Sequence, residues 1–149
     1  MQDGARLFAY STWAMMISLA IIMFTNRFLE FVTESGWVGV FVLLAFAFLY
    51  FNISYAAIKR YIRKVPAPTN WHIGLGIIVY LPPAIWVLVF SERYGGYSVV
   101  ILLTLALGCI LGTILGNRSG IKARYEYVQK LKKHARKMEE QKSPNEVQD

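Results

Sequence analysis

The sequence predicts an all-α integral membrane protein, a bundle of four transmembrane helices in two hairpins followed by an amphipathic basic cytoplasmic helix. Three observations carry that expectation. The 149 residues are 56% apolar and 17% charged, whereas a soluble domain has about 45–50% apolar and about 25% charged residues. Four long stretches contain no Asp, Glu, Lys, Arg or His. Basic residues collect after the second and fourth stretches and are sparse elsewhere, and such an asymmetry sets orientation in a membrane.

The uncharged stretches are 7–25, 36–57, 73–90 and 97–116, with lengths of 19, 22, 18 and 20 residues. An α-helix needs roughly 17–25 residues to cross a hydrocarbon core about 30 Å thick. Only helices or a closed barrel satisfy the backbone at that depth, and the alternation a barrel strand requires is absent from runs such as Val40 to Tyr50. A buried soluble core is excluded on different grounds: no amphipathic helices remain to cover four such runs. A disulfide-stapled module is excluded because Cys109 is the only cysteine.

The first run follows one basic residue, Arg6, and its end, Ile21-Ile22-Met23-Phe24, leads to no small-residue cleavage site, so it reads as a retained span. Residues 26–35 are expected to form an outer turn. The second span exits into Lys59, Arg60, Arg63 and Lys64. Pro66-Ala67-Pro68 then reads as a stiff connector to Asn70, placed to cap the third span just ahead of Trp71. Trp37 and Trp71 stand at span ends, where an amphipathic ring prefers the interface. Residues 91–96 form the second outer turn, and the fourth span exits into Arg118, Lys122, Arg124 and Lys130. Positive charge stays inside, so the N-terminus, the middle loop and the C-terminal tail are expected in the cytoplasm, in a membrane of the bacterial cytoplasmic type. The sequons Asn52-Ile53-Ser54 and Asn117-Arg118-Ser119 then lie toward the inner side and should go unused. The similar exits Ile58-Lys59-Arg60-Tyr61 and Ile121-Lys122-Ala123-Arg124-Tyr125 need no duplication, since spans ordinarily end in Lys and Arg.

Residues 1–118 thus form the membrane domain, 119–141 a basic helix, and 142–149 a disordered tip. Along the helix Ile121, Tyr125, Val128, Leu131, Ala135 and Met138 share one face, while Lys130, Lys132, Lys133, Arg136 and Lys137 crowd the others. From Arg118 to Lys137 eight basic residues stand against Glu126 alone.

The strongest local signal is in the fourth span, where Gly108, Gly112, Gly116 and Gly120 recur at every fourth residue and Thr104 extends the row. Residues four apart share a helical face, and small residues let helices approach closely in lipid. The row therefore marks a packing interface, either with another subunit or copy, or with the second or third span of the same chain. Pro82-Pro83 near the centre of the third span removes two N–H donors and frees the carbonyls of Ile78 and Val79. Such carbonyls line a pathway in some transporters, or they are satisfied by a neighbour such as Ser18 or Tyr50. Asn52, the costliest polar group in the spans, is expected to bond across helices and to mark, with Tyr80, Pro82 and Pro83, the site of any ligand pocket.

The catalytic inventory is empty. Proton relays, ion-coupled transporters and voltage sensors keep Asp, Glu, His, Lys or Arg in their spans, and these spans have none of them. His72 and His134 have no partner at metal-ligand spacing, and Cys109 has no basic neighbour to favour its thiolate. A membrane thiol oxidoreductase needs paired cysteines, and a haem-linked oxidase needs intramembrane histidines. No cofactor, metal or catalytic residue is expected. The tail suits anionic inner-leaflet lipid or a protein partner better than nucleic acid, because it has no row of stacking aromatics. The expected function is that of a non-catalytic small subunit or assembly partner of a larger membrane complex. The alternative is a homo-oligomeric channel or transporter with its pathway at Pro82-Pro83.

Overall fold

The computed structural model describes residues 2–34, 36–64 and 70–142, with side chains at 4–33, 36–64 and 70–138. The described residues are helical almost throughout: α1 (Gln2–Glu34), α2 (Gly36–Lys64), α3 (Trp71–Val89), α4 (Ser91–Tyr94), one 3-10 turn (Gly95–Tyr97) and α5 (Ser98–Lys142). Four of the helices are long and apolar enough to cross a membrane. Their outward faces suit that solvent, since Phe24 is 84% and Trp37 82% exposed. Soluble monomers rarely carry apolar surface on such a scale.

The helices overrun the expected turns. Residues 26–34, expected in a turn, continue α1, because Ala14, Ser18, Ile22, Leu29 and Val32 form one unbroken buried face. Asn26 and Thr33 satisfy their side chains on carbonyls of their own helix, at Met23 (2.6 Å) and Glu30 (2.7 Å). Just beyond, α2 leaves so close to α1 that a Cβ on Gly39 would lie 3.0 Å from the Val32 carbonyl oxygen. The second outer turn, 91–96, is also helical up to Gly95, which takes a positive φ of 50°. There Ser98 Oγ reaches the carbonyls of Ser91 (3.2 Å) and Gly95 (3.0 Å), and Arg93 faces Glu30 of α1 at 3.7 Å.

Two further expectations change. Asn70 precedes α3 without a side-chain cap; its carbonyl accepts from the Ile73 N–H at 3.2 Å instead. Gly120 marks no break, because α5 is one helix of 45 residues and so about 68 Å long at 1.5 Å per residue. The boundary expected between 118 and 119 is a change of surface, not of backbone. Pro66-Ala67-Pro68 and the tip beyond Lys142 lie outside the described residues.

The main core joins Ala14, Ile22, Leu29, Tyr50, Val79, Val87, Ile101, Leu105 and Cys109, and a smaller one gathers Ile58, Tyr61, Ile62 and Leu75 toward the basic end.

Candidate functional site

The glycine row faces α2 of the same chain. A Cβ on Gly108 would lie 2.5 Å from the Ala47 carbonyl oxygen, one on Gly116 2.9 Å from that of Tyr55, and one on Gly120 3.3 Å from that of Lys59; on Gly112 it would collide with the Phe51 oxygen. Each pair is 61 residues apart in sequence, and both members advance by four together. The two helices therefore run parallel with one groove seated on one row of carbonyls. Of the neighbours left open by the sequence, it is α2 of the same chain that lies in the groove. Thr104 extends the face by position but bonds within its own helix, to the Val100 carbonyl at 2.8 Å. At the basic end Tyr55 and Ser119 join hydroxyls at 2.9 Å, and Lys59 Nζ donates to Tyr55 at 3.2 Å, which closes the pair.

The expected pocket group does not assemble. Asn52 is exposed and bonds to Phe48 of its own helix at 2.7 Å, contrary to the cross-helix bond expected of it. Its short side chain finds the carbonyl one turn back sooner than any neighbour. Tyr80 reaches across to the Leu102 carbonyl at 3.2 Å, while Pro82 and Pro83 are buried in packing. The kink is served by a small hydroxyl chain. Ser18 Oγ donates to the Val79 carbonyl, which Pro83 leaves without its N–H partner, at 2.6 Å, and Tyr50 OH donates to the Ser18 carbonyl at 3.1 Å. Tyrosines therefore make the cross-helix bonds expected of the asparagine. Cys109, next to Gly108 in the sequence, is buried. Among the described residues no cluster of three His, Cys, Asp or Glu side chains is placed to hold a metal ion.

The basic residues of the tail lie on α5. Lys130, Lys133, His134 and Lys137 edge one shallow groove, and Lys132 and Arg136 follow one turn apart on another side. The apolar stripe between them has no cover among the described residues: Tyr125 is 67%, Leu131 50% and Met138 68% exposed.

One feature escaped the sequence. Arg6, Tyr10 and Trp13 of α1, Arg60, Arg63 and Lys64 of α2, and Tyr127 of α5 surround an open cavity of about 1190 Å³. Beside it an apolar groove of about 510 Å³ is lined by Ile17, Ala45, Phe48, Leu49, Asn52 and Ala56, with Trp13 shared by both. The signal was present as Arg60, Arg63 and Lys64 at helical spacing on the stripe of Ala45, Leu49 and Ala56. The pattern on α2 alone sets orientation, and the cavity forms only because α1 lies alongside.

These features define a helical protein built to sit in a membrane, with packing chemistry in its spans and cationic chemistry at one end. No protein family, curated protein or solved structure matches the chain.

Proposed function

We propose that the protein is a non-catalytic integral membrane subunit that docks a partner subunit through the helix projecting from its last span, with both termini in the cytoplasm. The observation that carries this reading is the continuity of α5. Its apolar stripe at Tyr125, Val128, Leu131 and Met138 extends away from the bundle, exposed along its length. A helix lying on a lipid surface needs a bend where it leaves its span, whereas a straight continuation carries the stripe off toward the cytoplasm. Its occupant is an acidic amphipathic segment of another protein. Eight basic residues against one acidic between Arg118 and Lys137 oppose pairing with a second copy, since like charges across an interface cost several kcal/mol. A pathway at Pro82-Pro83 has less support, because both prolines are buried and the Val79 carbonyl is occupied by Ser18.

The test is native mass spectrometry of the full chain gently extracted from its own membrane. A defined heteromeric complex is expected, and Val128→Asp with Leu131→Asp should dissociate it without changing the helix content of the extracted protein. A homo-oligomer that conducts ions in liposomes would overturn the proposal. So would a double variant that keeps its partner, and so would loss of anionic-vesicle binding as the variant's sole defect.

A further inference from the structure

We infer that the α1/α2 face is a binding site for a single anionic phospholipid, with the phosphate held in the basic cavity and one acyl chain in the apolar groove. The two helices change character at the same level. On α2 the face reads Ala45, Leu49, Ala56 and then Arg60, Arg63 and Lys64; on α1 it reads Ile17, Trp13 and then Tyr10 and Arg6. From Ala45 to Ala56 the groove rises about 16 Å at 1.5 Å per residue, close to half of a hydrocarbon core about 30 Å thick. That is the depth of one leaflet. The groove exists because Ala45 and Ala56 leave open what a larger side chain would fill.

The cavity below has the charge that a phosphate requires. Arg6, Arg60, Arg63 and Lys64 line it, and no carboxylate does among the described residues. Arg60 is stationed by the Trp13 ring, 5.5 Å from guanidinium to centroid, and planar guanidinium groups match phosphate geometry. The opposite end of the bundle differs, because Arg93 there faces Glu30. Orientation in the membrane explains basic residues at this end; it does not explain their convergence on a cavity that meets an acyl-sized groove at Trp13. Basic pockets between spans hold anionic headgroups in this way.

The experiment is native mass spectrometry of the full chain in neutral detergent. It is equilibrated with phosphatidylglycerol and phosphatidylcholine of identical acyl chains, with and without excess inorganic phosphate. One phosphatidylglycerol should be retained at least about tenfold over phosphatidylcholine. Arg60→Gln with Arg63→Gln should remove that preference, and Arg6→Gln with Lys64→Gln serves if the first pair fails to fold. Ala45→Leu with Ala56→Leu should release the lipid with the cations intact, whereas Lys132→Gln with Lys133→Gln on the tail should leave it bound. Equal retention of both lipids, displacement by inorganic phosphate, or indifference to the groove substitutions would each overturn the inference.

Discussion

Gly108→Ala tests the seating of α5 on α2 with the smallest available change. The added methyl carbon would lie 2.5 Å from the Ala47 carbonyl oxygen, 3.1 Å from its carbon and 3.2 Å from its Cα, whereas ordinary van der Waals contact begins near 3.4 Å. Every opposing atom belongs to backbone, so no rotamer relieves the clash, and the helices must part locally by about 0.9 Å, the shortfall from 2.5 to 3.4 Å. A gap of about 0.5–1 Å forfeits a quarter to a half of each dispersion contact, and overpacking costs about 1–3 kcal/mol. The helix propensity gained from Gly→Ala returns about 1 kcal/mol, which leaves a net change of about 0–2 kcal/mol against the parent chain and the full loss of about 1–3 kcal/mol against an unopposed Gly→Ala. Reversible unfolding in mixed micelles, followed by far-UV circular dichroism, measures it, with Gly4→Ala as the control because nothing lies within 4 Å of that site. Equal stability of the two variants would refute the argument. So would a change of oligomeric state at unchanged stability, because the row would then face another chain.

Two further outcomes follow from the hydroxyl chain and its surroundings. Ser18→Ala removes the donor to the Val79 carbonyl and should cost about 0.6 kcal/mol, the measured average for interhelical bonds in membranes, and no more than about 1.7 kcal/mol, the measured maximum. In a Pro83→Ala background the cost should shrink, since the restored N–H supplies that carbonyl; a double-mutant cycle in the same unfolding assay reads the difference. Ser54 Oγ is buried with only the weakly bonding Cys109 thiol as a side-chain partner, so Ser54→Ala should change stability by no more than about 1 kcal/mol, and a larger loss would expose a stronger bond.

Much of the molecule is legible in residue order because lipid simplifies the problem. A run such as 36–57 without Asp, Glu, Lys, Arg or His has few other solutions, and the spacing of Gly108, Gly112, Gly116 and Gly120 announces close approach before any neighbour is known. The helix ends were less legible. Polar residues at 26–34 suggest a turn, yet Leu29 and Val32 keep the buried face going and the helix with it. Asn52 misled because cost in lipid says nothing about direction, and its own helix offered the nearest acceptor.

Composition and periodicity by themselves determined that the chain is helical, suits a membrane and has no Asp, Glu, Lys, Arg or His in its four apolar runs, since each of those properties belongs to a single segment and its solvent. Which helix fills the glycine groove, which hydroxyl serves the proline kink, and that Arg6 shares a cavity with Arg60 and Arg63 were decided only by tertiary structure. The physical reason is that contact between segments depends on the rotation and register of two helices together, and a single-chain pattern carries one face at a time.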